Sequence, residues 1–147
     1  MKYQEIYCDL FDFEGKRDLV HCISADYKMG AGIAKEFTKR GVKDRLNTEY
    51  PFHIWNGHGY ATSISEKDNH IVWNLITKKN YWDKPTYQSL VEALEDMKSK
   101  IITNDLSRQL AMPKIGCGLD RLKWDAVQPI IETIFDDTDF DIIVCYL

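Results

Sequence analysis

Short, nearly continuous apolar runs alternate along this chain with amphipathic stretches, and this alternation limits the folds open to it. A strand that is apolar throughout is typical of a sheet covered on both faces. Strands that alternate with helices therefore predict an α/β fold of three layers, with a central mixed, mostly parallel sheet between helices. The apolar runs predict strands at Tyr3–Asp9, Leu19–Ser24, Ile71–Thr77, Arg108–Pro113 and Ile142–Leu147.

Three amphipathic segments predict helices. Thr86–Ile101 is the clearest, because its apolar residues recur at three- and four-residue intervals and form one stripe. Gly30–Arg40 predicts a short helix that Gly41 ends, and Trp124–Phe135 predicts a third helix. The stretch Asn47–Ser65 contains glycines, a proline and scattered aromatic residues, so it predicts irregular structure with a strand near its end.

The length and charge of the chain exclude several classes of protein. Its 147 residues predict one domain over residues 1–147, with a sizeable core. The chain has no apolar run of the ~20 residues that a membrane helix needs, and its acidic N-terminal stretch is unlike a signal peptide. We therefore expect a cytoplasmic protein (nuclear if eukaryotic) that is monomeric and has no membrane partner. Nineteen basic and 23 acidic residues give a net charge of −4, which argues against broad nucleic-acid binding.

The cysteines show no pattern of a metal site. They form no CxxC pair and no Cys/His cluster with zinc spacing. In a reducing compartment we expect them to be free thiols, and we expect no metal and no cofactor. The four residues are Cys8, Cys22, Cys117 and Cys145.

Two glycine-bearing loops each follow a predicted strand. In the first, the strand ends at Ser24 and Gly30-Ala31-Gly32 opens a helix, where free backbone N–H groups favour an anion. The second is MPKIGCGLDRL, Met112–Leu122. The first loop fits neither a Walker loop nor a dinucleotide fingerprint. Because open α/β sheets bind ligands at strand ends, the two loops together predict a diphosphate site. Two unconnected structural turns are the alternative.

Several motifs occur together and in order: CDLF, HCIS, MGAGIA, LITKK, KPTY, IGCGLDRL and a terminal leucine. This set resembles the macrodomain family, and within it the terminal ADP-ribose protein glycohydrolases. The resemblance is weakest over Asn47–Asn69. It implies an ADP-ribose-binding hydrolase that removes ADP-ribose from protein Glu or Asp esters, from O-acyl-ADP-ribose or from a modified nucleobase. A non-catalytic ADP-ribose reader and an ADP-ribose 1″-phosphate phosphatase are the alternatives it leaves open.

The resemblance also implies roles for single residues. Asp9 and Leu10 match the positions that contact adenine, Ser24 matches a ribose contact, and Leu147 matches a leucine near the adenine. An ionised carboxylate is a suitable acceptor for an adenine amino group, although an Asp here could equally cap a turn. The positions that match the groups around the phosphates and the distal ribose are Met29, Gly30, Ala31, Gly32, Ile33, Lys114, Ile115, Gly116, Cys117, Gly118 and Leu119.

Lys78 and Asp120 match the catalytic pair of the glycohydrolase branch, in which a lysine attacks C1 of the distal ribose and an aspartate moves the proton. A neutral lysine amine is a strong nucleophile for an aldehyde-like carbon. We expect Asp120 within hydrogen-bond reach of that amine. Lys79 is the rival nucleophile, because adjacent strand residues point to opposite faces and one of the two can enter the pocket. Without the resemblance, both lysines fit solvated charges at a strand end.

The end of the chain departs from this resemblance. Relatives carry an aromatic residue near the adenine where this chain has Cys145, and strand alternation places the next residue, Tyr146, on the opposite face. We therefore expect weaker adenine stacking, or stacking by another side chain. Four aromatic residues elsewhere are candidates to cover the ligand: Trp55, Tyr60, Tyr81 and Trp82.

Overall fold

A computed structural model describes residues 1–147, apart from the side chain of Lys67. Six strands form one sheet in the order β1-β6-β5-β2-β4-β3. β3 is antiparallel to β4, and the other neighbouring strands are parallel, as the sequence predicts. The strands are β1 (Lys2–Tyr7), β2 (Asp18–Ser24), β3 (Tyr60–Ser65), β4 (Ile71–Lys78), β5 (Gln109–Pro113) and β6 (Asp141–Tyr146).

Helices cover both faces of this sheet. They are α1 (Gly32–Lys39), α2 (Val42–Glu49), α3 (Tyr87–Thr103) and α4 (Trp124–Phe135). The alternation of side chains along each strand sorts the core into two clusters. In β6, Ile142 and Val144 pack in the cluster of α3 and α4, whereas Ile143 and Cys145 pack in the cluster of α1 and α2. The predicted three-layer α/β architecture is therefore confirmed.

The segment after α1 differs from the prediction. Gly41, with φ of 83°, ends α1 as expected, but it is also the N-cap of α2. Two buried residues, Val42 and Leu46, anchor this short helix, and two apolar positions are too few to form a recognisable stripe. The prediction of irregular structure from Asn47 is therefore wrong over the last residues of α2. The strand predicted near the end of that stretch is confirmed as β3.

The start of α3 is fixed by a reciprocal pair of hydrogen bonds. Ser89 N–H donates to Thr86 Oγ1 at 2.9 Å, and Thr86 N–H donates to Ser89 Oγ at 3.0 Å. This capping box satisfies amide groups that a helix terminus leaves unpaired. It thereby fixes the far end of the loop that follows β4. Among the described residues, no helix has the length and apolar character of a membrane span.

Candidate active site

The carboxyl ends of β2, β4 and β5 lie side by side at one edge of the sheet, because these strands are parallel and β2 lies between the other two. A cavity of about 830 Å³ opens there. It is lined by the loop after β2, the end of β4 with the turn that follows, and the loop after β5. Its volume lies in the upper part of the range of ~300–1,000 Å³ that small-molecule sites occupy.

The loop after β2 leads backbone N–H groups to the cavity. α1 begins at Gly32, two residues later than predicted, and its N-cap Ala31 makes no side-chain hydrogen bond to the first turn. The amides of that turn are therefore available to an anion. Tyr27 and Met29 have positive φ values of 53° and 46°. Both side chains are buried, which holds this strained backbone in place.

The loop after β5 makes a tight turn at Gly116. Its φ is 73°, a conformation that favours glycine, and a Cβ there would lie 2.8 Å from Leu122 Cδ1, so the Leu122 side chain would have to shift. Leu122 N–H donates to the Gly116 carbonyl at 2.8 Å and closes the turn. Cys117 differs from its neighbours: its N–H donates to the Lys114 carbonyl at 3.2 Å, and it lies outside the cavity lining. Ligand contact by Cys117 stays a prediction.

Lys78 and Asp120 form an ion pair inside the cavity. Lys78 Nζ lies 2.5 Å from Asp120 Oδ1, and the two side chains are 12% and 19% exposed. Lys78 is the last residue of β4, and its carbonyl accepts a hydrogen bond from Ala25 N–H at 2.9 Å. Asp120 ends the second glycine loop. Lys79 is exposed and lies outside the lining, so the structure places Lys78, and not its neighbour, in the cavity.

A turn directly after β4 forms a further part of the cavity wall. Asp83 N–H donates to the Asn80 carbonyl and Asn80 N–H donates to Asp83 Oδ2, both at 3.0 Å. Between them, Tyr81 and Trp82 line the cavity. Of the four aromatic residues predicted as candidates to cover the ligand, these two reach the cavity. Trp55 and Tyr60 lie outside its lining.

Asp26 fixes this turn to the first loop, a role that the sequence analysis does not identify. Its Oδ1 accepts hydrogen bonds from Ser24 Oγ at 2.6 Å and from Lys28 N–H at 3.0 Å. Its Oδ2 accepts from Tyr81 N–H at 3.0 Å. Burial acts to raise the pKa of Asp26, but these three hydrogen bonds outweigh it and hold the pKa below its ordinary value. The available sequence signal is an Asp two residues after a strand end, where such side chains accept local amides.

The lining of the cavity carries more positive than negative charge, although the chain as a whole is acidic. Four lysines face two aspartates: Lys28, Lys78, Lys84 and Lys114 against Asp83 and Asp120. Together with the free amides of the two glycine loops, this excess favours an anionic ligand such as a diphosphate.

The residues predicted to contact adenine lie at the carboxyl ends of β1 and β6, beyond the cavity lining. Asp9 is exposed, and its Oδ1 caps a short turn by accepting from Phe11 N–H at 2.9 Å. Leu10 is buried, whereas Leu147 is 82% exposed. Tyr146 is exposed, and the Lys114 amine lies 4.9 Å from the centre of its ring. Asp9 Oδ2 is not part of the cap, so capping and adenine binding are compatible.

No protein-family model matches the chain. Its sequence is 44% identical over 138 residues to ADP-ribose glycohydrolase OARD1 from Bos taurus, an alignment that covers 92% of this chain and 86% of that protein. ADP-ribose glycohydrolase OARD1 from Homo sapiens is 43% identical with the same coverage. The chain belongs to this ADP-ribose glycohydrolase family. The resemblance identified from its motifs is confirmed.

Solved structures of similar proteins confirm that this chain has the macrodomain fold. The macrodomain of Mycobacterium tuberculosis DarG superposes with a TM-score of 0.79 at 20% identity, covering 99% of this chain and 97% of that one. A macrodomain protein from Streptomyces coelicolor superposes with a TM-score of 0.73 at 15% identity, covering 99% of each chain. At such low identity the agreement concerns the fold alone.

The cysteine thiols of this protein are poor candidates for a catalytic nucleophile. All four cysteines are free, as expected. Cys22 lines the cavity, but burial and the nearby charge of Asp120 raise the pKa of its thiol. Burial also raises the pKa of the Cys117 thiol. Because the thiolate is the reactive form of cysteine, these environments suppress its reactivity.

The described residues contain no group of three or more His, Cys, Asp or Glu side chains that could hold a metal ion.

Most of the residues predicted to act on or bind the ligand line the cavity. The predicted residues that line the cavity are Ser24, Met29, Gly30, Ala31, Gly32, Ile33, Lys78, Lys114, Ile115, Gly116, Gly118, Leu119 and Asp120. Those outside its lining are Asp9, Leu10, Cys117 and Leu147.

Proposed function

We propose that this protein binds ADP-ribose and hydrolyses its bond to an acceptor, with Lys78 as nucleophile and Asp120 as the group that moves the proton. The observation that carries the proposal is the Lys78–Asp120 pair, at 2.5 Å, inside a cavity flanked by two glycine loops. The similarity to the two OARD1 glycohydrolases supports the activity. A protein of similar fold, Thermosipho africanus DarTG, has been solved in complex with ADP-ribose, and this supports the ligand.

The order of the strands agrees with the order of groups in ADP-ribose. The proposed adenine contacts lie at the ends of β1 and β6, the glycine loops follow β5 and β2, and Lys78 ends β4. From β1 to β4 there are four strand intervals, roughly 19 Å at ~4.8 Å each. A ligand with an adenosine, a diphosphate and a second ribose in line is long enough to span this row. It would place its distal ribose beside Lys78.

The ion pair can perform the chemistry in two stages. Asp120 takes a proton from the Lys78 ammonium, and the neutral amine attacks C1″ of the distal ribose. As the new C–N bond forms, the bond from C1″ to the acceptor breaks, and Asp120 returns the proton to the departing acceptor. The sugar ring then opens: the bond from C1″ to the ring oxygen breaks, the proton on the new C–N nitrogen passes to that oxygen, and an imine forms on Lys78. In the second stage Asp120 takes a proton from water as it adds to C1″ and returns it to the lysine nitrogen, and breakage of the C–N bond then releases free ADP-ribose.

The burial of the pair supports hydrolysis over binding alone. A reader needs the glycine loops but has no use for a lysine and an aspartate that are both largely removed from solvent, because placing charges there costs desolvation energy. An ester of a protein Glu or Asp side chain and a modified nucleobase each supply a bond at C1″ that the amine can displace. O-acyl-ADP-ribose carries its acyl group on a ribose hydroxyl, so its hydrolysis breaks the ester C–O bond instead.

The test separates binding from turnover. Calorimetry with ADP-ribose measures binding, and release of ADP-ribose from an ADP-ribosylated glutamate peptide, an O-acyl-ADP-ribose and an ADP-ribosylated oligonucleotide measures turnover. We expect Lys78→Ala to abolish release while ADP-ribose binding persists. Lys79→Ala is the matched control, because this exposed lysine lies outside the cavity, and we expect it to retain release.

Three outcomes decide between the proposal and its alternatives. Turnover that is unchanged in Lys78→Ala rejects the nucleophile. Tight binding of ADP-ribose without release from any acceptor identifies a reader. A covalent adduct on Lys78 in Asp120→Ala, detected by intact-protein mass spectrometry, supports the nucleophile, because the adduct forms only if this amine attacks C1″.

A further inference from the structure

Tyr81 and Trp82 form an exposed aromatic surface at the rim of the cavity. Their side chains are 54% and 66% exposed, and both line the cavity. The two rings meet edge to face, with centroids 5.1 Å apart and an angle of 83° between their planes. Large aromatic side chains that adjoin a cavity and remain in water mark a binding surface. The residues proposed to contact adenine, the diphosphate and the distal ribose do not include either ring, so the predicted covering role of the pair can extend to the acceptor.

The backbone of the turn that carries Trp82 is held in place by hydrogen bonds. This turn begins two residues after Lys78 and is closed by the two hydrogen bonds between Asn80 and Asp83. Asp26 anchors the same turn through the Tyr81 amide at 3.0 Å. A turn whose backbone is held at both its ends and its middle needs no ordering when a substrate arrives, which lowers the entropic cost of contact.

The residues around the aromatic pair favour one class of acceptor. Lys79 precedes the two aromatic residues in the chain and Lys84 follows them, and the Lys28 amine lies 5.5 Å from the centre of the Tyr81 ring. Aromatic rings that stack on bases, together with lysines that neutralise phosphates, are the combination that single-stranded nucleic acid requires. An aliphatic carboxyl acceptor offers no flat face to the indole.

We propose that Trp82 is a specificity-determining residue that contacts the acceptor and selects a nucleobase in a single strand over a glutamate or aspartate side chain. This inference rests on the proposed function, since it concerns the group that leaves C1″. It also agrees with the net charge of −4, because a local contact beside the cavity does not require a basic protein surface.

The experiment compares two substrates in the same protein. One is a short single-stranded oligonucleotide that is ADP-ribosylated on one base, and the other is a peptide that is ADP-ribosylated on one glutamate. The measured quantity is the ratio of kcat/KM for the oligonucleotide to kcat/KM for the peptide. The variants are Trp82→Leu, which removes the aromatic face, and Trp82→Phe, which keeps one. Phe52→Leu is the matched control, because Phe52 is 78% exposed and lies outside this cavity.

We expect Trp82→Leu to lower the ratio about 5- to 150-fold, the range that loss of one base-stacking contact gives. Trp82→Phe should restore most of the ratio, and Phe52→Leu should leave it unchanged. The inference is overturned if Trp82→Leu leaves the ratio unchanged, whether or not it lowers kcat/KM for both substrates. It is also overturned if the unsubstituted protein releases ADP-ribose from the peptide and not from the oligonucleotide. Release from neither substrate would instead count against the proposed function.

Discussion

The Lys78–Asp120 ion pair can be tested by a double-mutant cycle that measures stability and catalysis in the same four proteins. Lys78→Met removes the amine and keeps an unbranched side chain, and Asp120→Asn removes the charge and keeps the shape. Either single change leaves the other charge in the cavity without its partner at 2.5 Å. The double variant removes both charges, so the penalty of an unpaired charge disappears.

The burial of the pair sets the expected magnitude. Exposed ion pairs contribute about 0–1 kcal/mol, and removal of one partner from a fully buried pair costs about 3–5 kcal/mol. Side chains that are 12% and 19% exposed lie between these limits. We therefore expect a coupling of about 1–3 kcal/mol in the free energy of unfolding, measured by urea denaturation of all four proteins. If the two single variants lose amounts of unfolding free energy that add up to the loss in the double variant, the pair is not coupled and the prediction is wrong.

The same four proteins test whether the two residues act as one catalytic unit. If they do, Lys78→Met alone should lower kcat by at least about 10³-fold, and adding Asp120→Asn should lower it little further. Circular dichroism of each variant at the assay temperature verifies that the fold persists. The reasoning fails if Lys78→Met keeps most of the turnover, or if the two losses in kcat multiply.

Two further predictions concern the second glycine loop and the sheet. Gly116→Ala should weaken ADP-ribose binding in calorimetry and lower the free energy of unfolding by about 1 kcal/mol or more, since its φ is 73° and a Cβ would meet Leu122; unchanged affinity would show that this turn does not shape the site. Burial lowers the pKa of His21 from 6.5 to about 4, so below pH 6.5 the unfolded chain binds a proton at His21 that the folded chain does not. The free energy of unfolding should therefore fall as the pH drops from ~6.5 toward ~4, by up to about 3 kcal/mol. In His21→Gln this fall should be smaller. If the variant and the unsubstituted protein lose the same unfolding free energy over this pH range, the fall is not due to His21.

The sheet could be predicted from sequence because each of its central strands carries its own signal. Residues Val72–Thr77 of β4 are all buried and four of the six are apolar, and such a stretch can be recognised without its partner strands. α2 lacks such a signal, since Val42 and Leu46 are its two buried residues and its polar positions carry no information on tertiary packing. Its formation depends on the α1/α2 side of the core, which is built from residues distant in the sequence.

The site was predictable in part for a similar reason. The two glycine loops and Lys78 each follow a recognisable strand, so the parallel sheet brings them together at one edge. The choice of Lys78 over Lys79 depends on where β4 ends and on which face of the sheet each side chain points to. The sequence does not show either of these. Asp26 escaped prediction because its role is a hydrogen bond to Tyr81, 55 residues away in the chain.

In our proposal, the chemistry and the choice of acceptor depend on different contacts of β4 and the turn that follows it. The backbone of Lys78 is held by a strand hydrogen bond from Ala25, and its amine by Asp120. Trp82 belongs to a turn with its own closing hydrogen bonds, and neither of these bonds involves Lys78 or Asp120. In our proposal, a substitution at Trp82 therefore changes the contact to the acceptor while the hydrogen bonds that hold Lys78 remain.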